Sequence, residues 1–584
     1  MKKTQIIIIF ISLLLFSACN DLLDKMPNDR LYPEVYFSSE AELQLFTNQF
    51  YNKIIPNASD IYAESSDLIV KSDLMLEISG QRIVPDEGNG WNFDVLRDIN
   101  FYLEHSHNCK DEKARNKYDA VARFFRAYFY FEKVKRYGDV PWYDKVLESN
   151  DKDLYKSRDS RELIMQKIIE DLNFAIDNLP TERNPYIVTK WVALALKSRA
   201  CLFEGTFRKY HSLEDYEKYL DECISSSETL MNEGEYELYK NGDTPYLDLF
   251  SSMNLNKDEI IFGRDYEQSL SIMHNVQNYE NSTTLGRPGL NKKIVNYYLT
   301  NTGERFTDKP NYDKMTIDEE CLNRDPRMSQ TIRTVGYKRK GESKYSSPNL
   351  SYSITGYHLI KYSMESKYDE YNKSCNDIPL FRLAEIYLNL AEAKAERGSL
   401  KQEDLDNTIN KLRSRVKMPN LNMEIANANP DNYLLSKFTG FPNVDKGPNK
   451  GVILEIRRER TIELVMEGFR YYDIMRWKEG KIFENDLLGI YIPGPGSYDL
   501  NGDGTNDVCF YIGTKPSEKV PLYLEIGNNV QLSDGNSGNI ICHKNIRKTW
   551  NEEKDYLYPI PINERILSNG NLTQNPGWND GLNF

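Results

Sequence analysis

The chain has 584 residues, 40% hydrophobic and 28% charged, an ordinary globular composition long enough to bury a large core. Its net charge of -14 argues against nucleic acid as a partner, because phosphate binding needs clustered Lys and Arg. Six His give no basis for a multi-His metal site, whereas 40 Tyr, 24 Phe and 6 Trp supply core mass and rings suited to exposed stacking.

The first element is a leader. Lys2 and Lys3 precede an apolar run from Ile6 to Phe16, then come Ser17, Ala18 and Cys19. This reads as a secretory signal over residues 1–18, too short for a comfortable transmembrane helix. A Cys directly after small residues resembles a bacterial lipobox, although Phe16 stands where lipoproteins usually carry Leu. Cleavage before Cys19 would expose its thiol to acylation, and multiple acyl chains anchor stably. An ordinary signal with a coincidental Cys is the alternative. Cys109, Cys201, Cys223, Cys321, Cys375, Cys509 and Cys542 form no CxxC pair and read as isolated small hydrophobes.

Residues 79–94, "SGQRIVPDEGNGWNFD", form a Gly-rich loop ahead of a helix and display Arg82, Trp91 and Asn92. A buried staple at the helix start is the structural alternative for Trp91. Helical periodicity follows in Val121, Phe124, Phe125, Tyr128 and Phe131, ended by Gly138 and Pro141. A partner helix spans 160–178. A second pair covers 189–205 and 214–234. A third covers 378–398 and 404–419, and its first helix carries a large face (Leu383, Ile386, Tyr387, Leu390) and a smaller one (Ala384, Leu388, Ala391, Ala395). Such a helix can be sandwiched between neighbours, as stacked tetratricopeptide-type hairpins require. Residues 235–375 and 484–555 lack this periodicity and are rich in Tyr, Asn, Gly and Ser. They read as an irregular lobe carrying short strands, in which Tyr266 and Tyr279 are further candidate ligand contacts. The expected fold is mainly α, with the helical scaffold in 19–234 and 378–483 and looped regions in 235–377 and 484–584.

In "TIELVMEGFRYYDIMRW" (461–477), Ile462, Val465, Met466 and Phe469 have helical spacing. Arg460–Glu463 and Arg470–Asp473 stand three apart, where opposite charges meet on a helix. The stretch therefore reads as a helix with an ion-pair network, not as acid–base machinery. Gly468 costs about 1 kcal/mol inside a helix, which points to close approach by a neighbour. "DLNGDGTND" places Asp499, Asn501, Asp503 and Asp507 at positions 1, 3, 5 and 9 of a calcium-type loop, with Gly504 at the turn. Phe510 replaces the bidentate Glu at position 12, so the readings are a calcium-stabilised surface loop or an Asx-turn cluster without metal. No P-loop, HExxH, GxSxG or strand-linked GxGxxG occurs, and nothing selects a glycosidase-type pair from the 88 acidic residues.

Six stretches, in order, resemble the SusD/RagB-like outer-membrane lipoproteins: Cys19 with "NDLLDKMPNDR"; "RFFRAYFYFEKVKRYGDVPW"; "NRDPRM" with "TGYHLIKY"; "IPLFRLAEIYLNLAEAKAERG" leading into "INKLRSRVKMP"; "RRERTIELVMEGFRYYDIMRW"; and "YLYPIPINERILSNGNLTQNPGW". Asp21 and Asp24 behind the Cys resemble surface-export signals of Bacteroidetes lipoproteins. The resemblance implies a non-enzymatic protein that requires no cofactor. It would be lipid-anchored at the outer membrane through Cys19, facing the cell exterior. Its scaffold would pack on a SusC-like TonB-dependent barrel, and its irregular lobe would hold an oligosaccharide for transport. Peptide capture is the alternative, and a surface glycoside hydrolase a more distant one.

Overall fold

The computed structural model describes residues 36–64 and 66–584, so the leader, Cys19, Asp21 and Asp24 lie outside the described residues. The scaffold is mainly helical: α1 (Glu40–Ile54), α2 (Asp94–His105), α3 (Glu112–Tyr137), α4 (Arg161–Asn178), α5 (Lys190–Tyr210), α6 (Tyr216–Glu233), α7 (Leu383–Arg397), α8 (Ile409–Arg415), α9 (Lys450–Glu463) and α10 (Arg470–Arg476). Local chemistry sets their ends. The Asp111 side chain accepts from the Ala114 N–H to start α3, and Gly138, at φ 74°, ends it. Ser160 caps α4 through the Leu163 N–H. α3 packs on α4 and α5 on α6, while α7 lies against α5, α6 and α9. Except for Lys394 and Arg397, every α7 residue is buried, as the large and small faces of its sequence require.

Short strands lie outside this scaffold. Ile260–Arg264 (β2) pairs antiparallel with Ile378–Arg382 (β4), and Leu487–Ile492 (β5) with Gly538–Cys542 (β9). Gly496–Tyr498 (β6), Val508–Tyr511 (β7) and Leu522–Glu525 (β8) form a three-stranded sheet, and Ile69–Val70 (β1) pairs with Gly289–Leu290 (β3). Among the described residues no sheet exceeds three strands.

Three helical expectations are corrected. Residues 378–382 are strand β4, all five buried. Pro379 suits extended backbone at an edge, and the pairing of Phe381 with Phe262 outweighs the helical spacing. The 404–419 helix is divided into Gln402–Asp406 and α8. Residues 461–477 are not one helix. α9 stops at Glu463, and Met466 (φ 61°) and Gly468 (φ 78°) turn left-handed before α10 begins. A Cβ on Gly468 would meet Asp60 O at 3.5 Å, an ordinary contact. Its backbone angle, not its neighbours, therefore demands glycine, and its N–H donates to Glu64 Oε2 at 3.0 Å.

The break redirects the charges. The expected i+3 pairs are replaced by pairs across the fold: Arg460 Nε to Asp473 Oδ2 at 2.8 Å and Arg470 Nε to Asp67 Oδ1 at 2.7 Å. Glu463, fully buried, takes Arg382 at 2.8 Å, Arg327 at 3.2 Å and Arg415. Burial alone would raise its pKa, but the guanidiniums of Arg415, Arg382 and Arg327 hold it well below the usual carboxylate range. Removing one partner of such a pair leaves an uncompensated buried charge, at a cost of about 3–5 kcal/mol. We predict that loss of stability for Glu463→Gln by urea unfolding at pH 7. Because the folded pKa is depressed, the wild-type contribution is present above the ordinary glutamate pKa of about 4.3. It is lost as pH falls through the folded value, so the gap between wild type and variant narrows in acid.

Candidate functional site

A cleft of about 440 Å³ opens between three segments distant in sequence. One wall is the loop entering α2. Gly88, Asn89 and Gly90 all take positive φ, and the Trp91 N–H donates back to Gly88 O at 2.9 Å. α3 pins this loop: Tyr137 Oη donates to Asn89 O, Arg136 Nη2 donates to Asn89 Oδ1 at 2.6 Å, and Lys133 Nζ donates to Asn92 O at 2.8 Å. Burial, with Arg136 beside it, brings the Lys133 ammonium down to about 7. The second wall follows α3, where the Tyr143 N–H donates to Tyr130 Oη at 2.6 Å and Trp142 stacks on Tyr130 at 4.4 Å. The third is the C-terminal turn of helix Ile562–Leu567. It is held by Ile562 N–H to Pro85 O at 3.0 Å and Asn571 Nδ2 to Tyr155 O at 2.7 Å.

Trp91, Phe93, Tyr143 and Tyr155 line the cleft with Arg97 and Glu564. Tyr155 and Leu567 form an exposed rim, at 51% and 68%. Among the described residues, the side chains of Arg97 and Glu564 have no hydrogen-bond or ion-pair partner. Burial raises the Glu564 carboxyl above its ordinary pKa. Ring faces beside a free guanidinium and a free carboxylate can hold a ligand with apolar C–H surfaces and hydroxyl edges.

Of the five ligand candidates read from sequence, only Trp91 borders this cleft. It is 7% exposed and packs edge-on against Tyr137 at 4.9 Å, so it backs the cleft and is not the free platform expected. Asn92 faces away and bonds Asp94, its Oδ1 accepting the Asp94 N–H at 2.8 Å. Arg82 is buried between Tyr558 (4.6 Å) and Trp578 (5.4 Å) and donates to Asp555; it clasps the C-terminal segment. Tyr266 is buried and its hydroxyl accepts from the Ala58 N–H at 3.1 Å. Tyr279 is buried against Tyr62 at 5.1 Å. Neither presents an exposed face, because the 235–377 region folds inward and supplies no wall of this cleft. Tyr143, Tyr155, Arg97 and Glu564 were missed. The sequence signal for Tyr143 is the aromatic pair directly behind Pro141; Tyr155 has no such local signal.

In the candidate cation loop, Asp499 Oδ1 accepts from the N–H groups of Asn501 (3.1 Å) and Gly502 (2.8 Å), and its Oδ2 from Gly504 (2.7 Å). Asp507 Oδ2 accepts from Leu500 at 2.8 Å, and Asn501 and Asp503 bond each other. Among the described residues no group of three or more His, Cys, Asp or Glu is arranged to hold a metal. The loop's carboxylates accept from its own N–H groups, which is the geometry of an Asx-turn cluster.

A family model described as "SusD family" matches residues 258–578, and one described as "Starch-binding associating with outer membrane" matches residues 21–202. The chain is 26% identical over 533 residues to a SusD-like protein (P2) of Formosa agariphila, covering 86% of this chain and 95% of that one. It is 25% identical over 291 residues to a SusD-like protein of Bacteroides ovatus, covering 45% and 50%. A SusD-like protein of Bacteroides fragilis superposes with a TM-score of 0.67 at 22% identity, over 95% of this chain and 100% of that one. A SusD-like carbohydrate-binding protein of the same species superposes with a TM-score of 0.65 at 19% identity, over 91% and 98%. At these identities the superpositions show the fold.

Arg82→Ala is expected to cost about 2–4 kcal/mol by losing the ring contacts and a buried charged hydrogen bond, with faster hydrogen exchange in residues 555–578. EDTA is expected to leave the melting temperature unchanged, and a fall that calcium restores would show the Asp499–Asp507 loop to be an ion site.

Proposed function

The chain belongs to the SusD family, and on that premise we propose that it is a cell-surface lipoprotein that captures oligosaccharide in the Trp91–Tyr155–Glu564 cleft and delivers it to a SusC-like TonB-dependent barrel. The observation that carries the binding step is the pairing of exposed aromatic surface with two unpartnered charged groups in one cleft. Sugar rings offer C–H faces to Tyr155 and Tyr143, while Arg97 donates to ring hydroxyls and Glu564 accepts from them. The cleft's lining residues lie outside the strands, so it offers no sheet edge of the kind that extended peptides use. That favours glycan over peptide.

The outer-membrane placement rests on the family description and on Cys19 behind the leader. Among the described residues no helix is long and apolar enough to cross a membrane; attachment through acyl chains on Cys19 is part of the proposal. The barrel partner follows from the family and would meet the helical scaffold. Capture without turnover is part of the proposal: bound oligosaccharide should be recovered intact after prolonged incubation.

Calorimetry against a glycan panel tests the site. Tyr155→Ala and Glu564→Gln are each expected to weaken binding about tenfold, equivalent to about 1.4 kcal/mol. Equal affinities in wild type and both variants would remove the cleft from the mechanism. The carboxylate form of Glu564 is the acceptor, so affinity should fall as pH drops through its raised pKa. That acid limb should vanish in Glu564→Gln.

A further inference from the structure

We infer that the cleft is one end of a continuous groove that binds an uncharged, linear oligosaccharide along its length, ending in a second aromatic cavity beside α10. This rests on the glycan reading and extends it to the ligand's length and charge. The path starts where α2 begins. Trp91, Phe93 and Arg97 face the cleft, Asn92 and Val95 line a pocket of about 420 Å³ on the other side, and Asp94 lines both. The start of α2 is thus a ridge shared by two pockets. The far wall of the middle pocket is Ile54 and Glu132, which also line a third cavity of about 610 Å³. Phe469 and Tyr472 bring partly exposed ring surface to that cavity, and the buried rings of Tyr128 and Phe131 back it. Single small-molecule sites occupy about 300–1,000 Å³. Three neighbouring cavities that share lining residues together exceed that range and suit several sugar rings in line.

The charges along the path define the ligand class. Lys53 is paired with Asp98 at 2.6 Å, Lys135 with Glu132 at 2.6 Å, and Arg199 with Glu385 at 2.6 Å. Lys71 donates to Ala63 O at 3.1 Å and Lys133 to Asn92 O at 2.8 Å. Beyond Arg97 these cations are already engaged, so an acidic glycan would find no free counter-charge among them. A neutral chain needs none. It can stack on rings at both ends and hydrogen-bond across the ridge, where Asp94 offers a carboxylate.

The test compares neutral disaccharides with hexasaccharides of the same linkage from α-glucan, β-glucan, xylan and mannan, by calorimetry. Variants are Tyr155→Ala in the cleft, Tyr472→Ala in the far cavity, and Glu132→Trp, which plugs the junction. Glu132 has a 44% exposed side chain, so Glu132→Trp reads the junction at a position other than the packed ring of Tyr472, and thermal melting confirms that both variants are folded. The bound hexasaccharide is expected to be about tenfold tighter than its disaccharide. Tyr472→Ala and Glu132→Trp should each remove that gain and leave disaccharide binding within about twofold. If hexasaccharide is no tighter, or if both far variants bind it as wild type does while Tyr155→Ala abolishes binding, the groove is overturned and the cleft reading stands. If no glycan of either length binds, both fall.

Discussion

One buried carboxylate organises this molecule. Glu463 sits at the end of α9 and receives arginines from three other places: Arg327 from the turn at 326–329, Arg382 from β4 and Arg415 from α8. Glu467, four residues on, takes Arg382 again and Lys361. Each of these charges would be very unfavourable alone in a dry interior. Together they are tolerable only in one arrangement, so the segments that carry them are fixed relative to one another. β4 runs directly into α7, so fixing Arg382 also fixes the start of the central scaffold helix.

The same constraint reaches the cleft in two steps. The left-handed turn at Met466 and Gly468 lets α10 leave in a new direction, and Arg470 then closes on Asp67 at 2.7 Å. Next to it, Tyr471 packs on Tyr558 at 6.4 Å, on the segment that also bonds Arg136 and Asn575. That C-terminal segment leads into the helix carrying Glu564. A cleft whose walls come from distant parts of the sequence thus stands on this packed interior, which fixes the backbone of its walls. Preorganisation of this kind lowers the entropy cost of binding.

The polar economy of the two regions differs. Around α9 and α10, buried acids meet buried bases; Glu392, for example, is held down to about 2 because Arg476, Arg460 and Arg457 outweigh the effect of its burial. At the cleft the matching stops, and Arg97 and Glu564 are left for something else. A neutral polyhydroxylated ligand can satisfy both without bringing a charge of its own.

The sequence by itself determined the helical scaffold, because the core-facing period of α3, the two apolar faces of α7 and the Gly and Pro stops are local signals. It also showed that the 461–477 charges form ion pairs. Their partners were decided by tertiary structure: a spacing of three residues suggests an i+3 pair, but Glu463 finds its arginines 48, 81 and 136 residues away. The ligand candidates divide the same way. A Gly-rich loop and an aromatic are visible in sequence, but whether a ring is free or buried depends on what packs over it. Trp91 is covered by Tyr137, Arg82 by Tyr558 and Trp578, while Tyr155 stays open. Glu564, one acid among many, gains significance only when the C-terminal turn is laid beside α2, a juxtaposition that no local pattern encodes.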